Sequence, residues 1–219
     1  MHTTLLPAGL RAAGHIATLA CALAAMPVAA QHENHDHHAP PGKAAAKAVL
    51  PQSARVTLVD TPLVDQDGRN LRFKTEVLGE RIVVIGFVYT TCTTVCPVVS
   101  QLMLQTQDKL GARVGKDVGL VSVSVDPVRD TPARLKEYAG RVGAGAGWTW
   151  LTGPRPQVDE VLKVFGAYTA NFVDHPPLVM VGDAKSGKWL RFYGFPNPDQ
   201  LVRAVGELTA ARTKAGSAG

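Results

Sequence analysis

The chain has 219 residues, 46% of them hydrophobic, with a formal net charge of +5 at neutral pH and a mean hydropathy of +0.04. That length suffices for one ordinary domain with its own core, and the polarity suits a soluble globular protein. The small excess of Lys and Arg gathers into no block, which argues against nucleic acid as a partner.

The first thirty residues account for part of the apolar content. Arg11 is followed by Ala12–Ala30 without a further Asp, Glu, Lys or Arg, and the stretch closes on Val28–Ala29–Ala30. This pattern predicts a signal peptide over residues 1–30, cleaved before Gln31, and hence export to the periplasm. An uncleaved segment of this length would anchor the protein in the inner membrane, but Pro27 and the small-residue end favour cleavage. Cys21 is poorly placed for a lipoprotein, because Thr18–Leu19–Ala20 is a weak lipidation signal. Residues 31–54 lack periodicity and read as a disordered linker carrying His32, His35, His37 and His38, then Pro40–Pro41–Gly42. These histidines are either a solvated low-complexity tail or a weak, adaptable metal collector.

The folded domain is expected over residues 55–214, with a disordered tail at 215–219. Val56–Val59 and Leu63–Val64 lead into the turn signal Asp65–Gln66–Asp67–Gly68, and Leu71–Phe73 completes a β-hairpin. The β-branched run Ile82–Val88 predicts a buried strand, and a helix follows from Pro97 to about Leu110. Val118–Val125 is the next strand, stopped at Asp126–Pro127. Asp130 or Thr131 can cap a helix with Pro132 in its first turn. A Gly-rich loop and Trp148–Gly153 follow. A helix fits Gln157–Tyr168, a strand Leu178–Val181, a strand Trp189–Tyr193, and a last helix from Pro198 to about Lys214. Strands alternating with helices predict an α/β domain with a mixed sheet.

Two cysteines, Cys92 and Cys96, fall where the run Ile82–Val88 hands over to a helix N-terminus. Free backbone N–H groups and the helix dipole favour thiolate there. Their C-x-x-x-C spacing covers about one helical turn. With Cys21 removed by processing, they are the cysteines of an exported chain, yet a bridge closing so small a loop would add little stability. Chemistry is therefore the better reason for the pair. Beyond residue 54 the chain has one histidine, His175, in Val173–Asp174–His175–Pro176–Pro177 ahead of a strand. Two thiolates and an imidazole form a soft ligand set suited to Cu(I) and usable by Zn(II).

Thr91–Cys92 through Cys96–Pro97 resembles the cysteine motif of the Sco/SenC family, copper-handling assembly factors for cytochrome c oxidase. Val121–Pro132, Trp150–Gly153 and Val173–His175 resemble, in order, the family's later motifs, so the resemblance spans roughly residues 55 to 210. It implies a thioredoxin-like mixed sheet flanked by helices, with an N-terminal β-hairpin extension. It also implies that Cys92, Cys96 and His175 are copper ligands, for Cu(I) or Cu(II), and that the same cysteines form a redox-active pair able to close a disulfide. Asp126 is implied as a residue of the loop near the site, and as a turn residue it would hold the strand end. Two departures stand out. Thr93–Thr94 occupies positions where many family members have Pro–Asp, and Pro176–Pro177 follows His175 where Ser or Thr is usual.

The resemblance leads to a periplasmic metallochaperone that supplies copper to the copper-bearing subunit of cytochrome c oxidase, or exchanges it with another periplasmic copper chaperone. The alternative is a thiol–disulfide reductase acting on the cysteines of a copper-site partner, for which the same pair supplies an attacking and a resolving thiol. A peroxiredoxin-like peroxidase fits less well, since Thr93–Cys96 has the T-x-x-C spacing without the upstream proline. A module with a permanent disulfide conflicts with the reducible character of such a bond at a helix terminus.

Overall fold

The computed structural model describes residues 49–217. The expected signal peptide, Cys21 and the histidines His32, His35, His37 and His38 lie outside the described residues. Eight strands form one sheet: β1 (Gln52–Ala54), β2 (Pro62–Asp65), β3 (Asn70–Arg72), β4 (Ile82–Val88), β5 (Val118–Ser124), β6 (Trp148–Thr152), β7 (Leu178–Asp183) and β8 (Lys188–Tyr193), ordered β1-β8-β7-β4-β5-β6-β2-β3. Four α-helices accompany them: α1 (Val95–Leu110), α2 (Pro132–Val142), α3 (Arg155–Phe165) and α4 (Pro198–Gly216).

The sheet is mixed. β4 runs parallel to β5, pairing Val88 with Ser124, and antiparallel to β7, pairing Ile82 with Asp183 and Gly86 with Val179. Every residue of β4 and β5 is buried, as expected for central strands covered on both faces. On one face Val84 and Val88 pack with Val99 and Met103 of α1, Leu135 of α2 and Leu201 and Val205 of α4. On the other, Val83, Ile85 and Phe87 pack with Val158, Leu162 and Phe165 of α3 and with Phe73 of a π-helical turn, Phe73–Leu78. Each such fully buried aliphatic or aromatic side chain contributes about 1.5–3 kcal/mol relative to exposure.

The expected hairpin forms as β2 and β3, with Leu63 opposite Leu71, and joins the sheet through β2 and β6. Val56–Val59 differs from expectation. These residues are irregular, and Val56, Leu58 and Val59 are only partly buried against the second core cluster. The alternation is present, but neighbouring residues take the pairing instead: Gln52–Ala54 pairs with β8, and β2 pairs with β6 and β3. β1 lies in the stretch read as linker, because Gln-Ser-Ala carries no apolar alternation to announce a strand.

The elements that reach the cysteine end have local causes. Thr131 caps α2 by accepting the Arg134 N–H, and Asn197 caps α4 within a capping box completed by Gln200. The first described residues are fastened to α4 through the Val49 carbonyl, which accepts from Gln200 Nε2 at 2.6 Å. Among the described residues, no helix is long and apolar enough to cross a membrane.

Candidate metal centre

β4 ends at Val88, and the chain turns back immediately: the Cys92 N–H donates to the Tyr89 carbonyl at 3.2 Å. α1 then starts with Thr94 at its N-cap position, but the Thr94 side chain does not cap it. The Cys92 sulfur takes that role, accepting the Cys96 N–H at 3.3 Å. A helix N-terminus leaves its first N–H groups without intrahelical partners, and an anion is the best acceptor for them. The thiol two residues before the cap is thus the one that gains from ionisation.

The two cysteines are both buried and both free thiols, and their acidities are split. Burial pushes Cys92 up, but hydrogen bonds from the Cys96 thiol, the Cys96 and Thr94 N–H groups and the Tyr89 hydroxyl outweigh it and bring it down to about 7. Burial pushes Cys96 up to about 12, with the neighbouring Cys92 adding to the shift. The sequence suggested a helix terminus favouring thiolate at both positions. Cys96 departs from this because it lies inside the first turn, its sulfur against the core. Burial raises Tyr89 to about 12 as well, reinforced by its bond to Cys92.

His175 follows a single 3-10 turn, Phe172–Asp174, and precedes β7. Its Nε2 lies 3.1 Å from the Phe87 carbonyl, while Nδ1 is buried without a partner. A carbonyl can only accept, so Nε2 carries the proton and Nδ1 presents a free lone pair. Burial lowers the imidazole pKa, partly opposed by the Phe87 carbonyl, which favours the charged ring. The cysteine turn and His175 are therefore anchored on carbonyls two residues apart along one chain, Tyr89 and Phe87. Two residues of extended backbone span about 7 Å.

The structure brings Cys92 and Cys96 together and holds His175 at the same end of the sheet, with its ring drawn to Phe87. Among the described residues, no three His, Cys, Asp or Glu side chains are gathered as a ready metal cage. Asp126 keeps to its turn. Its carbonyl accepts the Arg129 and Asp130 N–H groups at 3.1 and 3.0 Å, and its buried carboxylate pairs with Arg129 Nη1 at 3.0 Å.

Asp130 is the residue whose place the sequence did not reveal. Its fully buried carboxylate accepts the Thr90 N–H at 3.1 and 3.2 Å, the Thr90 hydroxyl at 2.6 Å and the Ser124 hydroxyl at 2.6 Å. Burial raises its pKa despite these bonds. The only sequence signal was the choice between Asp130 and Thr131 as helix cap. Once Thr131 takes the cap, an acidic residue beside it has to find donors elsewhere.

Two thiols of unequal acidity where a central strand meets a helix N-terminus, on a mixed sheet with helices on both faces, define a thioredoxin-like protein. The sequence profile of the SCO1/SenC family matches residues 54–208, and the chain belongs to that family. It is 31% identical to the protein SenC of Rhodobacter capsulatus over 153 residues, covering 66% of each chain. It is 36% identical to a SCO1 protein homolog of Bacillus subtilis over 106 residues, covering 47% of this chain and 53% of the relative. A putative copper-binding protein of Stutzerimonas stutzeri is 32% identical over 118 residues, covering 54% of this chain and 55% of the relative. The chain thus spans between about half and two thirds of the length of these relatives. Among solved structures, BsSco, described as a member of the Sco family of cytochrome c oxidase assembly proteins with a disulfide switch, aligns with a TM-score of 0.61 at 27% identity, covering 72% of this chain and 96% of BsSco. A SCO1/SenC family lipoprotein from Bacillus anthracis also aligns with a TM-score of 0.61, at 26% identity, covering 72% and 98%.

Proposed function

We propose that this chain is a periplasmic copper-binding assembly factor that delivers copper to cytochrome c oxidase, or matures its copper site, through Cys92, Cys96 and His175. The observation that carries the reading is the donor set at one end of the sheet. It comprises a thiol poised to ionise, a second thiol whose backbone N–H donates to the first sulfur, and an imidazole whose buried Nδ1 has no partner. Soft thiolates with one imidazole suit Cu(I), and an imidazole also serves Cu(II). The Stutzerimonas relative named for copper binding and the naming of BsSco among oxidase assembly proteins support the same cargo and the same destination.

Copper is cargo here, so its ligands must release it. Cys92 binds as thiolate near neutral pH at little cost, whereas Cys96 gives up its proton only to the metal. An incoming thiolate or imidazole of the oxidase subunit, or of another copper chaperone, displaces such ligands one at a time. Export rests on residues 1–30, and membrane association follows only where that segment is retained.

One observation favours the alternative, a thiol–disulfide reductase acting on a partner's cysteines. The acidities of about 7 and about 12 are those of a nucleophilic and a resolving thiol. The deciding experiment is Cu(I) titration of the reduced full chain against a competing chelator strong enough to silence weak sites. It is run beside Cys92→Ser, Cys96→Ser and His175→Ala. One tightly held copper, weakened at least about tenfold by each substitution, supports delivery; tenfold is about 1.4 kcal/mol. Equal and weak binding by the wild type and His175→Ala removes the three-ligand site and leaves the reductase.

A further inference from the structure

Between β5 and α2 the loop Asp126–Asp130 touches the two segments that carry the proposed ligand set, and it does so through adjacent residues. Asp130 grips Thr90, two residues before Cys92, by its N–H and its hydroxyl. Arg129 places its guanidinium over the Phe172 ring, 5.3 Å from the centroid, three residues before His175. That guanidinium is itself aimed by the buried Asp126 carboxylate at 3.0 Å. Phe172 in turn meets the Tyr89 ring edge-on, with centroids 5.0 Å apart. The loop is fixed from below, since the Ser124 hydroxyl donates to Asp130 and accepts the Asp126 N–H at 3.1 Å.

We propose that this loop is a two-armed bracket in which Asp130 positions the cysteine turn and Arg129, aimed by Asp126, positions the His175 segment. The inference rests on the copper reading for its purpose, but not for its geometry. The 3-10 turn has backbone bonds of its own, Asp174 N–H to Asn171 and His175 N–H to Phe172, and the Phe172 ring rests on Tyr89; the stacked guanidinium adds the seat that ties this segment to the loop. The cysteine turn has its own backbone bond at Tyr89–Cys92 and gains a second tie at Thr90. Asp126, Arg129 and Asp130 touch neither sulfur nor imidazole, so they act as positioning residues. The two arms leave the loop separately, one through hydrogen bonds and the other through a cation–ring stack, so they can be cut one at a time.

The test uses the reduced, metal-free full chain. One readout is the NMR signal of the His175 imidazole, identified by its loss in His175→Ala. The other is the alkylation rate of Cys92 at one fixed pH, identified by its loss in Cys92→Ser. Arg129→Ala should move the His175 signal and leave the Cys92 rate within about twofold. Thr90→Val, which removes one bond to Asp130 and spares the fold, should change the Cys92 rate at least about threefold and leave the His175 signal in place. Asp130→Ala should act in the same direction and more strongly. If both signals move together in either single-arm variant, or if neither moves, the bracket is wrong. A second, metal-bound readout is a double-mutant cycle on Cu(I) affinity. The loss caused by Arg129→Ala should vanish in the His175→Ala background, while the loss caused by Thr90→Val should persist there. A loss from Arg129→Ala of equal size with and without His175 overturns the assignment. If His175→Ala does not weaken copper at all, the three-ligand reading fails by itself, and the metal-free arms still decide the bracket.

Discussion

Asp130 and Asp183 are both buried carboxylates, and they sit at opposite ends of the same sheet. Asp183 closes β7 where it pairs with Ile82 at the start of β4, and Asp130 grips Thr90 just beyond the end of β4. Asp183 has a full complement: Arg212 Nε at 2.8 Å with a second guanidinium contact through Nη2, and the Lys185 and Ser186 N–H groups at 2.9 and 3.1 Å. Asp130 has hydroxyls and an N–H, and its hydrogen-bond partners include no cation. The acidities diverge accordingly. Burial would raise Asp183, but Arg212 and Ser186 bring it down to about 2, whereas burial prevails at Asp130 and its pKa rises. One end of the sheet is a satisfied ion pair that fastens α4. The other keeps a raised carboxyl, a thiol near 7 and an imidazole nitrogen without a partner. Polar groups left short of partners gather where chemistry happens.

The comparison breaks most sharply at Arg212. Arg212→Ala leaves the Asp183 charge buried without its cation, and the expected loss is about 3 kcal/mol of unfolding free energy, read by urea denaturation. Cys92 alkylation and Cu(I) affinity should not change, because the damage is confined to the far end. A loss of copper affinity without a loss of stability would erase the distinction between the two ends.

A smaller effect should appear on acidification. The folded pKa of Asp183, about 2, lies below its ordinary value of 3.8, so its contribution is complete above the unfolded value and is lost as pH falls through about 2. The shift corresponds to roughly 2 kcal/mol. In Arg212→Ala that slope of stability against pH should flatten or reverse, since the carboxyl then prefers its proton. An unchanged slope would mean that Arg212 does not hold the ion.

Much of this was legible in the sequence, for physical reasons. Ile82–Val88 and Val118–Val125 are continuous apolar runs of strand length, and burial on both faces is what such runs require. Cys92 and Cys96 announced themselves by their place between such a run and Pro97. The β1 strand was not legible, because Gln52–Ala54 is held by the edge of β8 rather than by any pattern of its own. The split between the thiols was hidden as well: it depends on which sulfur accepts the Cys96 N–H and which lies in the core. Asp130 could be read only as an alternative cap, because a side chain's partner forty residues away leaves no local trace.

The smallest predicted effects concern how the Cys92 thiolate is held. Four groups favour its ionised form, the Cys96 thiol, the N–H groups of Cys96 and Thr94, and the Tyr89 hydroxyl, with the Cys96 N–H donating to the sulfur at 3.3 Å. The Thr94 hydroxyl stands at 4.0 Å, at the limit of contact with sulfur. Alkylation of the reduced, metal-free protein by iodoacetamide should therefore rise with pH through an inflection near 7. Tyr89→Phe removes one hydrogen bond to the anion and should move that inflection upward by up to about one unit, a bond to a charged group being worth about 1.5 kcal/mol or more. Thr94→Val keeps its N–H, so its inflection should stay within about 0.3 units of wild type, on the scale of an unmade bond. If Thr94→Val moves the inflection as far as Tyr89→Phe does, the hydroxyl that fails to cap α1 is a true donor to the sulfur. In that case the thiolate is held by side chains rather than by the helix terminus.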